Sequence, residues 1–460
     1  MHENVRAVVA VRAGLVLAAL LSGGASLAQV NVVVPPSVLV PNYDRVLPGL
    51  EEGLEGGAFI ARARNAPAVF YNPAGLALTD RTVLNASAQG YQLTTVGGTG
   101  FETNSPVSSF KAIPSYVGVA LGKDVFDWDR LRLGFAIFQT AAWDQTVKAS
   151  TTVDPNTRAT YSVESNFNIL VPAFSLAYGL TESFRMGVSL EFPYTTISDL
   201  GVLSGEATTA TSSLSTQRTL GAGGNVLHFV PALSLQWDAL PWLALGAVVH
   251  SPGIKILSSG NLTYEAITIQ NASSVHTTVN DPSADFNYKQ PLQVDLGVAF
   301  RFGPAELEVD VKWHDGADLY DLLSSSQQYR VTSVSASGAP VVTNGPIQPI
   351  RYGQRQTWNG SVGGHYALSK SVTLSAGVYM DNSPVASGSQ GFRKVNLIGV
   401  RGGGSFTIGK VGFSIGLGWE HGSAADNLSP DGATPAAIPS YAGNLSLTTL
   451  SLLFAVSYSF

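Results

Sequence analysis

Near its C-terminus the chain alternates strictly between apolar residues and small or polar ones. The apolar positions in residues 449–460 are Leu450, Leu452, Phe454, Val456, Tyr458 and Phe460. Because successive strand residues point to opposite faces of a sheet, this pattern predicts a strand with one apolar face and one polar face. A tilted strand of about 9–11 residues crosses the apolar layer of an outer membrane, and a final aromatic residue suits the interface. The chain is therefore predicted to end as the last strand of an outer-membrane barrel.

The same alternation recurs along the chain, and the links between the alternating segments are short and long in turn. Alternating segments include residues 184–192, 292–302, 306–314 and 411–420. Short links lie at residues 179–181, 239–241, 303–304, 368–370 and 408–410, and long ones at 95–111, 141–164, 194–225, 251–285, 316–354, 381–393 and 421–445. Bacterial barrels have short periplasmic turns and long extracellular loops. The sequence thus predicts an all-β fold, a transmembrane antiparallel β-barrel of about fourteen strands with the first near Arg81.

The seven tryptophans are all predicted to lie at strand ends. Three of them are close to short links: Trp128, Trp237 and Trp242. The other four are beside long links: Trp143, Trp313, Trp358 and Trp419. Two aromatic girdles, one at each membrane interface, would produce this distribution.

The chain divides into three predicted parts. Arg6 and Arg12 precede the apolar run 13–21, and Ser26-Leu27-Ala28 is a small-residue cleavage site, so residues 1–28 are predicted to be a signal peptide. Residues 29–80 have no membrane-strand pattern and form a candidate N-terminal plug, which we call the hatch. Residues 81–460 are the predicted transmembrane barrel, because no later stretch has the ~20 apolar residues of a helical span.

Composition narrows the function classes. Of 460 residues, 45% are hydrophobic and only 13% are charged, the formal charge is -6, and the basic residues are scattered. We therefore expect no nucleic-acid partner. The chain has no Cys, which excludes disulfides and thiolate chemistry.

Two stretches of the hatch predict compact local structure. Residues 49–64 are rich in Gly and Ala, which allows short helices and close backbone packing in a narrow lumen. In residues 69–77, Pro73 fixes its own φ and favours an extended conformation at Asn72, while Gly75 tolerates turns that other residues avoid. A defined corner leading into the first strand is predicted.

At these residues the chain resembles the FadL and TodX outer-membrane transporters of long-chain fatty acids and hydrophobic aromatic compounds. In that family an Ala-rich segment followed by Asn-Pro-Ala forms a hatch inside a barrel of fourteen strands, and residues 61–77 resemble it. Residues 381–384, Asp-Asn-Ser-Pro after a late strand, resemble a second family signature. The hatch residues singled out are Arg62, Arg64, Asn72, Pro73, Ala74 and Gly75.

The resemblance implies a monomeric bacterial outer-membrane transporter of hydrophobic small molecules, with long-chain fatty acids as the first candidate and outer-membrane lipids around it. A substrate would be captured at the outer loops, displace the hatch and leave sideways through a gap in the third strand. That strand is here about residues 130–140, and Gly134 is the candidate for the lateral gate. Aromatic residues around the first two long loops are candidate capture points: Phe101, Phe110, Tyr161 and Phe167.

Cations on the polar strand faces are candidate anchors for a fatty-acid carboxylate. They are Arg132, Arg185, Arg301 and Lys312, with Arg62 and Arg64 of the hatch as alternatives. The competing interpretation is that they pair with lumen carboxylates such as Glu191, Asp295, Glu308 and Asp310.

Two other classes remain open at this point, a passive porin and an outer-membrane lipid hydrolase. His228, His250, His314 and His365 lie on different predicted strands without a nucleophile motif, so no enzyme activity is expected. The seven dispersed histidines also predict no metal site, and no cofactor is expected. The Gly- and Ala-rich hatch argues against an open porin, because it predicts a channel that is closed at rest.

Overall fold

The structure is a computed structural model. It describes residues 39–98, 113–125, 130–154, 156–208, 211–336, 338–427 and 442–460, apart from a few side chains within these ranges. The predicted signal peptide and the first residues of the hatch, up to residue 38, lie outside this description.

The described part of the hatch contains short helices, as predicted. They are α1 (Glu51–Leu54), α2 (Ala68–Tyr71) and a 3₁₀ helix (Pro73–Leu78). No helix among the described residues is long and apolar enough to cross a membrane.

In the described ranges all remaining regular structure is β. The strand segments are β1 (Val83–Gly98), β2 (Ile113–Leu121), β3 (Leu131–Asp154), β4 (Thr157–Gly179), β5 (Phe184–Glu191), β6 (Tyr194–Thr208), β7 (Ser213–Leu240), β8 (Leu243–His250), β9 (Ile254–Gln270), β10 (Ser273–Phe286), β11 (Gln293–Phe302), β12 (Ala305–His314), β13 (Ala317–Ser324), β14 (Gln328–Val334), β15 (Val341–Pro346), β16 (Ile350–Gln354), β17 (Thr357–Ser369), β18 (Val372–Asp381), β19 (Asn396–Ile408), β20 (Val411–Asn427) and β21 (Ala442–Ser459).

These segments build a closed antiparallel barrel of 14 wall strands, which confirms the predicted fold. Some wall strands are interrupted; for example, β5 and β6 both pair with β4 and with β7, so they form one broken strand. The other interrupted wall strands are β8 with β9, β10 with β11, β12 with β13 and β14, and β15 with β16 and β17. The barrel closes where β1 pairs with β21, from Val83 opposite Ser459 to Gly98 opposite Leu445.

The last strand faces outwards as its alternation predicts. Leu450, Phe454 and Val456 are 49%, 39% and 41% exposed, whereas Leu453 and Ala455 between them are buried. Such large apolar side chains are exposed all around the wall, and in a barrel they are the surface that contacts lipid.

The aromatic girdles are only partly as predicted. Trp237, Trp242, Trp358 and Trp419 point outwards, but Trp143 is 2% exposed and lies inside the barrel, with the Arg45 guanidinium 5.2 Å from its ring centroid. The prediction for Trp143 is wrong because β3 continues through this position with an inward register. Trp128 lies outside the described residues.

Several predicted loops are extensions of strands. Residues 141–164 belong mostly to β3 and β4, which remain paired from Ala141 opposite Ile169 to Asp154 opposite Thr157. Residues 194–225 likewise form β6 and part of β7. The inner face of these extensions stays buried, as at Trp143 and Phe167, but their outer face carries polar residues such as Asp144 and Glu164. The apolar alternation is therefore lost although cross-strand hydrogen bonds continue.

Candidate functional site

The described part of the hatch lies inside the barrel, against glycines on many wall strands. A Cβ atom at Gly363 would lie 1.9 Å from the Glu55 carbonyl oxygen, and one at Gly246 would lie 2.4 Å from the Ile60 carbonyl oxygen. The inward-facing glycines that meet hatch atoms in this way are Gly134, Gly187, Gly246, Gly297, Gly363, Gly377 and Gly416. A side chain at these seven positions would clash with the hatch, which explains why they are glycine.

Arg62 anchors the hatch to β12. The alternating acidic residues of this strand point inwards, and Arg62 Nε donates to Glu308 Oε2 at 2.6 Å. Its Nη2 donates to Glu55 Oε2 at 2.5 Å. The backbone N–H of Phe59 donates to Asp310 Oδ2 at 2.8 Å, so the wall carboxylates also hold the hatch main chain. Arg62 is thus a buried structural cation among carboxylates.

The Asn72-Pro73 corner forms as predicted, since Asn72 is extended with φ −162° and ψ 100°. Its amide Nδ2 donates to the carbonyl oxygens of Ile60 and Leu235, both at 2.9 Å, which joins the hatch to β7. Its Oδ1 accepts from the Ala74 N–H at the start of the 3₁₀ helix. The corner is therefore fixed by side-chain hydrogen bonds to both the hatch and the wall.

Gly75 is required for a different reason from the one predicted. Its φ lies outside the left-handed region, but a Cβ there would be 2.0 Å from the Ala63 carbonyl oxygen. Close approach of two hatch segments, and not turn geometry, demands glycine. Arg64 differs from Arg62: its side chain is 46% exposed and it pairs with Glu51 at 3.4 Å.

Glu52 of α1 is a buried carboxyl group of the hatch. It is buried, and its Oε2 has no hydrogen-bond partner among the described residues. Burial, with the nearby Glu51 carboxylate, raises the pKa of Glu52 from 4.5 to about 7. Because this pKa exceeds the unfolded value, protonation stabilises the docked hatch fully below about pH 4.5, and the stabilisation is lost as the pH rises through about 7.

We accordingly expect conductance bursts of the reconstituted protein to become more frequent as the pH rises from about 6 to about 8. Glu52→Gln keeps the side-chain shape and removes the ionisation, so its burst frequency should stay low and lose this rise. Planar-bilayer recordings of both proteins check the prediction. A rise of equal size in Glu52→Gln would assign the titration to another group.

The four candidate carboxylate anchors face the lumen, but all of them bind protein groups. Arg132 Nε donates to the Thr79 carbonyl oxygen at 2.8 Å, and Lys312 Nζ contacts Asp44 Oδ1 at 2.7 Å. Arg185 and Arg301 both pair with Asp238, which was not among the predicted partners. The geometry therefore favours the interpretation as ion-paired lumen residues for Arg185, Arg301 and Lys312, whereas Arg132 is hydrogen-bonded to backbone carbonyl oxygens.

A cavity of about 100 Å³ lies above the hatch. Ile60, Phe70 and Tyr71 of the hatch and Phe138 and Ala141 of β3 contribute to its apolar lining, where the Phe70 and Phe138 rings pack edge to face at 4.9 Å. A second part of the lining is polar and comprises Asn42, Tyr43, Asp44, Thr140, Glu191, His250, Gln290, Gln293, Asp295, Lys312 and His314. Sequence patterns missed residues 42–44 because nothing in their local sequence signals contact with distant wall strands.

The cavity touches β3 where its pairing is irregular. Gly134, the candidate gate, sits in regular ladders opposite Ala120 of β2 and Ser175 of β4. The register between β3 and β4 shifts instead between Gln139 and Ala141, just beyond the last described pairing with β2 at Phe138. The irregularity in the β3–β4 ladder therefore lies beyond Gly134, at the cavity.

The loop aromatics are only partly described. Phe101 and Phe110 lie outside the described residues, and for Tyr161 only the backbone is described, in β4. Phe167 is also on β4 and is buried, with its ring centroid 5.8 Å from that of Tyr288 inside the barrel. It is thus a lumen residue and not a loop residue.

Within the described part of the chain, one group has the composition of a metal site. Glu51, Glu55 and His365 carry possible ligand atoms within 4.8 Å of one another. However, Glu55 already accepts from Arg62, and its other oxygen lies 2.9 Å from His365 Nδ1. We assign this group to the ion-pair network that holds the hatch.

Comparisons by sequence find nothing, since no family model and no curated protein matches the chain. Solved structures do match. The chain is similar to the Pseudomonas putida toluene transporter TodX, with TM-score 0.58 and 15% identity over 90% of this chain and 98% of that one. It is also similar to the Ralstonia pickettii toluene transporter TbuX, with TM-score 0.55 and 15% identity over 90% and 98%.

A Pseudomonas aeruginosa FadL homologue is similar as well, with TM-score 0.52 and 14% identity over 92% of this chain and 99% of that one. At these identities the likeness concerns the fold, which is FadL/TodX-like. Closed barrels with an apolar outer surface are built for outer membranes, and the protein is accordingly located in the bacterial outer membrane.

Proposed function

We propose that this FadL/TodX-like barrel admits hydrophobic small molecules across the outer membrane. The observation that carries the proposal is the cavity above the hatch, which meets the barrel wall where the β3 ladder is irregular. The hatch, assigned to residues 29–80, closes the bore of a barrel assigned to residues 81–460. The N-terminal residues 1–28 are assigned as the signal peptide.

Apolar walls make such a route favourable. A molecule that partitions into hydrocarbon gains roughly 25 cal/mol for each Å² of apolar surface removed from water. Phe70, Phe138, Ile169 and Val171 supply apolar surface around the cavity. A staged apolar path therefore lowers the barrier that a water-filled pore would present to such a molecule.

The exit proposed is lateral and lies beside Thr140. This residue and its neighbours Phe138 and Ala141 line the cavity. From residue 139 onwards β3 is paired with β4 alone among the described residues. A substrate displacing the hatch would reach this part of the wall and enter the membrane lipids, with no bond made or broken.

Two lines of evidence suggest candidate substrates. The similar structures are described as toluene transporters and a FadL homologue. The motif resemblance adds long-chain fatty acids, with capture at Phe101, Phe110 and Tyr161 on the outer side. We propose a monomer that works without a cofactor and without catalysis.

A reversible lock tests hatch displacement. The Cβ position of Gly134 lies 2.6 Å from Val69 Cγ2 of the hatch, and the chain has no Cys of its own. In Gly134→Cys/Val69→Cys a disulfide would tie the hatch to β3. We expect cellular uptake of radiolabelled toluene or of a long-chain fatty acid to fall at least about fivefold on oxidation and to recover on reduction.

Val69→Cys alone is the matched control: it adds no atom at Gly134, and its uptake should be insensitive to oxidant. If the double variant took up the probe as fast after oxidation as after reduction, hatch displacement would be refuted. Failure of the parent protein to raise uptake of any hydrophobic probe above that of empty cells would refute transport itself. Large steady ion conductance would then favour a porin, and lipid hydrolysis would favour an enzyme.

A further inference from the structure

A cluster of hydrogen-bond donors lies on the outer surface of the barrel, where β17, β18 and β19 end on the side of the long links. Exposure alternates at the start of β19: Lys394, Asn396 and Ile398 are exposed, whereas Val395 and Leu397 between them are buried. Alternate residues of an extended chain point to opposite faces of a sheet, so the three exposed side chains share one face. Since the buried residues face the lumen, this cluster faces the surroundings of the barrel.

Arg355, two residues before β17, is held beside this face by two hydrogen bonds. Its Nε donates to the Ser383 carbonyl oxygen at 2.8 Å, and its Nη2 donates to Asn396 Oδ1 at 3.3 Å. Asn396 Oδ1 also accepts the backbone N–H of Ser383 at 3.0 Å, which determines the orientation of the Asn396 amide. The guanidinium and the amide are therefore fixed relative to each other by the protein alone.

Three donor groups of the cluster have no acceptor in the described part of the chain: Arg355 Nη1, Asn396 Nδ2 and Lys394 Nζ. Lys394 precedes Asn396 by two residues, so their Cα atoms are about 6.5 Å apart and the long Lys side chain can reach the amide. Neither cation forms an ion pair with a described residue. Asp315, at the end of the neighbouring β12, contacts Gln356 instead of Arg355. The cluster therefore carries positive charge that no described carboxylate matches.

Below the cluster the same outward face is apolar. Ile398 and Trp358 are 60% and 59% exposed, and Met380, which pairs with Ile398 across the β18–β19 ladder, is 46% exposed. The Trp358 ring lies beside that of Trp313, with centroids 6.3 Å apart. Aromatic residues at strand ends lie at the membrane interface. The donors are thus at the level of lipid head groups, and the apolar residues are at the level of acyl chains.

A phosphate group fits these donors, because its oxygens can accept from a guanidinium, an ammonium and an amide at the same time. The long links mark the outer side of the barrel, and the outer leaflet of a bacterial outer membrane is built from a phosphorylated glycolipid. In that lipid the phosphates lie above the acyl chains, just as Arg355 and Lys394 lie above Ile398 and Trp358. Basic residues at head-group level bind anionic lipids in this way.

We propose that Arg355, Lys394 and Asn396 bind a phosphate of the outer-leaflet glycolipid, of the lipid A type, whose acyl chains lie along Ile398 and Trp358. The site is on the outer surface of the wall, away from the hatch and the cavity. It goes beyond the proposed transport and does not depend on it.

The test titrates the full-length protein in detergent with bisphosphorylated lipid A and counts bound lipids by native mass spectrometry. The same glycolipid without its two phosphates is the matched probe, and phosphatidylglycerol is the third. Each cation near an anionic head group strengthens binding severalfold. We therefore expect bisphosphorylated lipid A to bind at least about tenfold more tightly than the dephosphorylated form, and more tightly than phosphatidylglycerol.

Charge-removing variants locate the site. Lys394→Gln removes a side chain without protein contacts and should weaken lipid A binding about fivefold, and Arg355→Gln/Lys394→Gln should weaken it at least about tenfold. Lys370→Gln/Lys410→Gln is the matched control, because these exposed lysines lie in the short turns at the other ends of β17 and β19. It removes the same charge from the periplasmic side and should bind lipid A as the parent does.

The outcomes are distinct from those of the transport experiment. Equal binding of the two glycolipids, or tighter binding of phosphatidylglycerol, would overturn the site. An equal loss of binding in both double variants would also overturn it, since net charge alone would then account for binding. Unchanged binding in Lys394→Gln would remove this residue from the site, and unchanged binding in Arg355→Gln/Lys394→Gln, with folded barrels on heat-modifiable gels, would refute the proposal.

Discussion

Replacing Arg62 by methionine is expected to release the hatch and make the barrel conduct ions. Glu55 and Glu308, its nearest partners, both have fully buried side chains. Removing one member of a buried ion pair leaves uncompensated charge and costs about 3–5 kcal/mol. That is enough to shift the docked hatch towards an undocked state, which planar-bilayer conductance and protease cleavage of the hatch would both report.

Arg64→Met is the matched control for this variant. Arg64 is two positions away in the same hatch segment, but its side chain is 46% exposed and its ion pair with Glu51 is 3.4 Å long. Exposed pairs of this kind contribute about 0–1 kcal/mol, so the channel should stay closed. If Arg62→Met remained as closed and as protease-resistant as Arg64→Met, the wall carboxylates would not be the anchor of the hatch.

The membrane-spanning strands were predictable from the sequence because the surroundings of their two faces determine the alternation of apolar and polar residues. Lipid on one side and a polar lumen on the other require a period of two, as seen for Leu450, Phe454 and Val456. Once β3 and β4 leave the membrane, that requirement ends, so their extensions were predicted as a loop. Trp143 points inwards because β3 continues through it, and the residues next to it in the sequence do not indicate this orientation.

The site was predictable where local geometry determines it and not where distant contacts do. The Asn72-Pro73 corner depends on residues beside it, and the structure contains it. Lys312, by contrast, pairs with Asp44, which is 268 positions away. A sequence shows that a lumen cation needs a carboxylate, but the choice of Asp44 or Asp238 depends on how the hatch docks and how the strands are registered.

Placing one methyl group on the wall at Gly363 is expected to prevent the hatch from docking. In Gly363→Ala the new Cβ would lie 1.9 Å from the Glu55 carbonyl oxygen, a backbone atom that cannot rotate away. Overpacking of this kind costs typically about 1–3 kcal/mol, and here it also pulls Glu55 away from Arg62. We expect higher steady conductance and faster proteolysis of the hatch, with the barrel itself intact.

Gly360→Ala on the same strand separates hatch docking from a general effect on β17. A Cβ at Gly360 would have its nearest neighbour, the Asp310 carbonyl oxygen, at 3.5 Å, which is an ordinary contact. Its conductance should match the parent, and heat-modifiable migration on gels should show folded barrels for both variants. A closed Gly363→Ala channel would mean that the hatch does not pack on this wall strand. An unfolded Gly363→Ala barrel, beside a folded Gly360→Ala barrel, would mean that hatch docking is needed to form the barrel. The two variants differ only in what faces the added methyl group.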